Sequence, residues 1–288
     1  MSEDKRMAET FTLNNGVKMP VIGLGTFLMD PDHAEQAVYD ALQAGYRLID
    51  TANGYMNEKG VGRGIKKSGV RREDIFLSTK LWPSVYEDPN AVDDTLARLG
   101  TDYVDLLFIH QPSGNWEAGY RQLEKALKEG KTKAIGISNF HDEKLRKLLE
   151  ITDVKPQVIQ YENHPYYTAD DVREILKPYD VRFMAWYPLG HGDKSLMQEE
   201  VFAKLARKYG KSPAQIILRW HVQFGNVVIP GSTNPDHIKA NADIFDFALT
   251  DDEMNEIAKI NENRRYYAGT PEQEARYANI RPDFNSQK

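Results

Sequence analysis

The chain reads as an α/β fold, a (β/α)8 barrel, on three observations. Eight short apolar, strand-like runs alternate with helix-like stretches along nearly the whole sequence. Three of these runs, RLID, DIFLSTK and VDLLFIH, end on the ionisable residues Asp50, Lys80 and His110, which recur at the interval of one strand-helix unit. A closed parallel barrel gathers the carboxyl ends of its strands on one face, where barrel enzymes keep their chemistry, so the three side chains should converge there.

The first element is a hairpin in TFTLNNGVK (10–18), whose Asn15-Gly16 turn suits a two-residue loop; it could plug one end of the barrel. The eight strand runs are VIGLG (21–25), RLID (47–50), DIFLSTK (74–80), VDLLFIH (104–110), KAIGISN (133–139), VIQYEN (158–163), VRFMAWY (181–187) and NVVIP (226–230). Helix-like stretches cover 33–44, 58–68, 88–99, 115–129, 142–150, 169–177, 199–209, 213–224 and 235–241, several followed by a glycine suited to a left-handed cap. A further helix runs from Asp251 to about Asn261. The segment from Arg264 to Tyr277, rich in arginine and tyrosine, is expected as a loop laid over the barrel mouth.

Composition agrees with one domain spanning 1–288, with 1–9 and about 281–288 mobile. With 288 residues, 41% hydrophobic and 28% charged, the chain can bury a large core. The absence of cysteine excludes thiolate nucleophiles, disulfides and Cys-ligated metals, and suits a reducing cytoplasm. MSEDKRMAET carries charges where a signal peptide needs an apolar stretch, and no run is long enough for a membrane span. A formal charge of −6 without a basic block argues against a nucleic-acid partner.

Singly, Asp50 could cap a helix, Lys80 could be solvated and His110 could be a satisfied core histidine. At adjacent strand ends the three together point to a site. The other histidines show no HxH or HExxH spacing, so no metal is expected. A hydrolase would need a second acid at a neighbouring strand end, for which only Glu162 offers itself.

DTANGYMNEKGVGRGI (50–65), STKLW (78–82), LLFIHQP (106–112), GISNF (136–140), QYENHPYY (160–167), WYPLG (186–190) and IPGS (229–232) together resemble the aldo-keto reductases, with GLGTF (23–27) beside them. The likeness spans roughly residues 10–250 and is strongest to bacterial reductases of small aldehydes and diketo-sugar acids. It implies a catalytic tetrad of Asp50, Tyr55, Lys80 and His110, and a monomeric reductase of small-molecule carbonyls. Hydride addition builds negative charge on the carbonyl oxygen, so a proton donor is needed. An ammonium ~4 Å from the Tyr55 hydroxyl would favour its phenolate by ~4 kcal/mol at an effective dielectric of 20, bringing Tyr55 toward neutrality. His110 would hydrogen-bond the substrate oxygen, and Phe27, Trp82 and Gln111 would line the pocket. A cofactor-binding regulatory subunit on the same fold is the alternative.

Gly60, Gly62 and Gly64 imitate a dinucleotide fingerprint, but position 65 is Ile65 and the segment reads as a helix. The resemblance implies instead an extended NADPH across the strand ends. Gly25, Thr26, Phe27 and Asp50 would lie beside it, Ser138, Asn139 and Gln160 would hold the carboxamide, and Tyr187 would stack on the nicotinamide. Pro188, Leu189 and Gly190 would wrap the pyrophosphate, and Ile229, Pro230, Gly231, Ser232, Thr233, His237 and Asn241 the adenosine end. NADPH-specific relatives usually carry lysine at the place of Gly231 and arginine at that of His237. Without those charges, NADH should also be accepted.

Overall fold

In the computed structural model, which describes residues 9–288, the chain begins with the hairpin. The expectation for residues 1–8 lies outside the described residues. Strand β1 (Thr10–Thr12) pairs antiparallel with β2 (Lys18–Pro20). The turn sits one residue earlier than expected: the Gly16 amide donates to the Leu13 carbonyl at 2.8 Å, so Asn14 and Asn15 are its central pair. Gly16, at φ 86°, takes the left-handed position that follows such a turn in a three-residue loop. The Asn14 and Asn15 side chains donate to the carbonyls of Pro156, Tyr179 and Lys133, which fastens the hairpin to the barrel. Leu13 and Met19 join the inward-facing cluster of Leu48, Phe76, Leu106, Val158 and Met184, so the hairpin plugs the amino-terminal end.

Eight parallel strands follow: β3 (Leu24–Gly25), β4 (Leu48–Asp50), β5 (Phe76–Leu81), β6 (Leu106–Ile109), β7 (Ile135–Ser138), β8 (Val158–Glu162), β9 (Arg182–Trp186) and β10 (Asn226–Val228). They pair in sequence order, and the ring shuts where Ile22 bridges Val228 and the Gly23 amide donates to the Val228 carbonyl at 2.9 Å. At this seam a Cβ on Gly25 would stand 2.7 Å from the Ile229 carbonyl oxygen. Gly25 is therefore required by closure of the barrel, whatever it does for a ligand.

Helices α1 (Pro31–Gln43), α2 (Glu58–Ser68), α3 (Ala91–Leu99), α4 (Trp116–Lys128), α5 (Asp142–Ile151) and α6 (Asp170–Leu176) form the outer ring with their successors. The stretch expected at 199–209 is preceded by an unexpected short helix, giving α7 (Lys194–Gln198) and α8 (Glu200–Tyr209); α9 (Pro213–Gln223), α10 (Pro235–Ala242) and α11 (Asp251–Ala258) complete the ring. In α2, side chains at Gly60, Gly62 and Gly64 would run into the carbonyl oxygens of Pro31, Leu99 and Glu35. These glycines are contact points between helices. No helix among the described residues is long and apolar enough to cross a membrane.

The tail corrects one expectation. It crosses the strand ends as a loop only to residue 269, then forms α12 (Pro271–Asn279), opened by a capping box in which Thr270 and Gln273 bond reciprocally. Within 281–288, expected to be mobile, Phe284 and Gln287 are buried. Phe284 is 8% exposed, Lys59 Nζ donates to the carbonyls of Asn285 (3.0 Å) and Gln287 (2.8 Å), and Arg98 donates to the Asn285 side chain at 3.2 Å. Cationic side chains of α2 and α3 meet the tail's oxygens, which a reading of the tail alone could not foresee.

Candidate active site

Asp50 closes β4 and Lys80 lies near the end of the adjacent β5, so neighbouring strands bring them together without a loop. Lys80 Nζ donates to Asp50 Oδ2 at 2.6 Å and to the Thr51 carbonyl at 2.8 Å, with both side chains enclosed. The second carboxylate oxygen accepts from Ser78 Oγ (2.7 Å) and from Gln160 Nε2 on β8 (3.1 Å). Burial pulls Lys80 below the usual lysine range, against the opposing effects of Asp50 and Glu58.

Tyr55 stands on a single 3-10 turn (Asn53–Tyr55) directly after β4. Its ring lies over Lys80, with Nζ 4.7 Å from the centroid, and against the edge of His110, with centroids 5.5 Å apart. The Tyr55 hydroxyl has no hydrogen-bond partner among the described residues. The expected lowering of its pKa is not what the structure produces. Burial, then the Asp50 carboxylate, pushes Tyr55 well above the ordinary tyrosine range, and the Lys80 ammonium is directed at Asp50 instead. Tyr55 is therefore a phenol at neutral pH.

His110 follows β6 and is 8% exposed. Burial and the nearby Lys80 charge hold it well below the usual histidine range, so the imidazole is neutral. Its Nδ1 is sealed without a partner, and a Cβ on Gly54 would stand 3.6 Å away from it. Nε2 is thus the nitrogen that can meet a ligand. Trp82 packs edge-on to His110 (5.1 Å) and Phe27 tilts against Tyr55 (5.0 Å), so the expected pocket residues do gather there.

Gln111 is drawn into a network that reading the sequence missed. Trp186 Nε1, which can only donate, bonds Asn139 Oδ1 at 3.0 Å; Asn139 Nδ2 then donates to Gln111 Oε1 at 3.2 Å, which also accepts from the Tyr267 hydroxyl at 3.3 Å. Trp82 is tied to the tail as well, through Nε1 to the Ile280 carbonyl (3.0 Å) and an edge contact with Tyr277 (5.4 Å). Glu162 is no free acid: it is fully enclosed, and its oxygens accept from the Tyr266 amide (2.6 Å), the Tyr267 amide (2.9 Å) and His164 Nε2 (3.0 Å).

Two of the residues expected to hold a dinucleotide keep an unused hydrogen-bonding atom. Gln160 uses its amide nitrogen on Asp50 and on Met184 Sδ (3.3 Å), leaving its oxygen without a partner among the described residues; Ser138 Oγ is likewise unused, on a residue 2% exposed. Tyr187, at φ 53°, turns its ring edge-on to Trp186 and stacks on His191. Leu189 is half-buried, and Pro188, Gly190, Ile229, Pro230 and Asn241 are buried. Gly231, Thr233 and His237 are exposed around the start of α10, with Ser232 half-buried. Thr26 Oγ1 donates to the Asp50 carbonyl at 3.1 Å. Among the described residues no cluster of three or more His, Cys, Asp or Glu could hold a metal ion.

Residues 21–262 match the family model described as the Aldo/keto reductase family. The chain is 43% identical over 264 residues to the glyoxal reductase of Bacillus subtilis, covering 90% of this chain and 95% of that protein. It is 38% identical over 257 residues to a methylglyoxal reductase of Escherichia coli, covering 88% and 94%. A crystal structure of a Bombyx mori aldo-keto reductase in complex with NADP superposes with a TM-score of 0.85 at 32% identity, covering 91% of this chain and 95% of that one. With a family match over nearly the whole barrel and relatives covered almost end to end, this chain belongs to the aldo/keto reductase family and is an NAD(P)H-dependent oxidoreductase acting on aldehydes and ketones.

Proposed function

We propose that the chain reduces small aldehydes and ketones, dicarbonyl compounds among them, to alcohols, with Tyr55 as proton donor, NADPH as the preferred hydride source and NADH tolerated. The observation that carries this is the unpartnered Tyr55 hydroxyl, set beside neutral His110 and in front of the Lys80–Asp50 pair.

A bound nicotinamide dinucleotide supplies the hydride; Ser138 and Gln160 would hold its carboxamide and Tyr187 its ring. The substrate oxygen sits between the Tyr55 hydroxyl and His110 Nε2. As charge grows on that oxygen it becomes a far stronger base than a phenolate, so the Tyr55 proton moves to it even with a raised pKa. Lys80 lies behind the ring and balances the charge left on Tyr55, while Asp50 fixes its direction. Phe27 and Trp82 keep water from the reacting centre.

At the adenosine end, Gly231 and His237 stand where NADPH-specific relatives carry lysine and arginine, with Ser232 and Thr233 as neutral contacts, which supports use of both cofactors. A monomer in the cytoplasm is part of the same reading. A panel of carbonyl compounds with NADPH and NADH, followed at the nicotinamide absorbance, tests it. Turnover of dicarbonyls and small aldehydes is expected; absence of turnover with both cofactors would refute it.

A further inference from the structure

Among the described residues Glu162 is the one acidic strand-end residue that the proposed chemistry leaves unused, and it is fully enclosed. A buried carboxylate needs donors, and its donors here are the backbone amides of Tyr266 and Tyr267, 104 and 105 residues away in sequence, plus His164 Nε2. Two consecutive amides on one carboxylate fix the direction of the chain between them. The two side chains that leave this point diverge. The Tyr267 hydroxyl reaches Gln111 Oε1, next to His110, and its ring meets Trp186 at 5.6 Å. The Tyr266 hydroxyl reaches Asp193 Oδ2 at 2.6 Å, at the head of α7 in the loop that follows Tyr187.

From this geometry we infer that Glu162 is a positioning residue for substrate: it latches the tail to the end of β8, so that Tyr267 completes the substrate pocket and Tyr266 braces the neighbouring loop. The inference rests on the reductase reading above. Glu162 touches neither the reacting atoms nor the tetrad, so its effect reaches catalysis through Tyr267 and Gln111. A glutamine in its place accepts one amide but turns an NH2 toward the other, which breaks one charge-assisted bond and loosens the tail by roughly tenfold or more.

Wild type, Glu162→Gln, Tyr267→Phe and the double variant are compared in the full chain, with kcat and KM for one reduced carbonyl and hydrogen exchange of the 264–270 segment. The expected result in Glu162→Gln is faster exchange confined to that segment, a KM raised at least threefold and kcat within about twofold of wild type. The double variant should then have nearly the KM of Glu162→Gln alone, since both changes act on one contact. An unchanged KM, an equal fall in kcat, or additive effects in the double variant would overturn the inference. If Glu162→Gln does not fold, Tyr267→Phe decides: a KM raised with kcat kept supports the latch, and an unchanged KM overturns it. A wild type that reduces no carbonyl would refute the proposed function instead, a different outcome.

Discussion

His221, wholly buried in α9, lies with Nε2 3.0 Å from the Pro188 carbonyl, while Asn226 donates to its Nδ1 at 3.0 Å. A nitrogen facing a carbonyl must carry the hydrogen, so this is a neutral imidazole with both ring atoms satisfied. It pins the turn that starts at Tyr187. Burial holds its pKa down to about 3.

That depression makes a stability prediction. The unfolded chain binds a proton on this residue below ~6.5 and the folded chain does not, so stability is lost as pH falls through that range. The contribution of one such group between pH 7 and pH 5 is ~2 kcal/mol. His110, depressed in the same direction, adds to it. Urea unfolding at both pH values should show that His221→Gln, though less stable at pH 7, loses less on acidification than wild type. An identical loss would mean that His221 titrates alike in the two states.

A second prediction concerns the buried pair behind the tetrad. Glu58, fully enclosed at the start of α2, accepts from Arg98 Nε at 2.7 Å and from Thr79 Oγ1 at 2.8 Å. Burial already raises the Glu58 pKa, against the pull of Arg98. Arg98→Leu strands this carboxylate and also frees the Asn285 side chain, so it should cost ~3–5 kcal/mol. Thermal unfolding of the variant reads the loss directly.

The pH dependence of turnover follows from Tyr55 and His110. In the proposed mechanism reduction needs the phenol, and burial and Asp50 hold Tyr55 well above the ordinary tyrosine range, so that form persists throughout the neutral range. Single-turnover reduction should therefore be flat from pH 6 to 9, without a limb at the ordinary histidine pKa of ~6.5. Alcohol oxidation needs the phenolate and should climb about tenfold per pH unit over the same range. A plateau in the oxidation rate below pH 9 would argue against the raised Tyr55.

Cofactor choice can be moved from the start of α10. A Cβ on Gly231 would stand 3.0 Å from the Gly25 carbonyl oxygen, so a lysine there strains the barrel seam. His237, exposed in α10, is the cleaner position. His237→Arg should tighten NADPH by ~1.5–3 kcal/mol if it reaches the 2′-phosphate, and leave NADH unchanged. Titration of both cofactors by fluorescence checks it; equal tightening of the two would show that the arginine meets some other part of the dinucleotide.

The barrel was legible because Asp50, Lys80 and His110 mark strand ends at a fixed interval and need no long-range information. Tyr55 was legible only through its motif, since nothing local distinguishes it from other loop tyrosines. The contacts of Glu162 were not, because its partners there are backbone amides more than a hundred residues away. The direction of the Tyr55 pKa failed for a related reason: it depends on where the Lys80 ammonium points and on enclosure, neither of which spacing records. The missed helix α12 did announce itself, in the Thr270, Pro271 and Gln273 of its capping box. That signal matches the one at Ser212, Pro213 and Gln215, which opens the correctly expected α9.

The central claim is that Tyr55 delivers the proton, and Tyr55→Phe tests it most directly, because only the unpartnered hydroxyl is removed while the ring stays against His110 and Phe27. Single-turnover reduction with NADPH, alongside the Kd for NADPH, should show a chemical rate lower by ~10²–10⁴ with cofactor affinity within about twofold of wild type. A variant that keeps more than about a tenth of the wild-type rate would contradict the account and move the proton donor elsewhere.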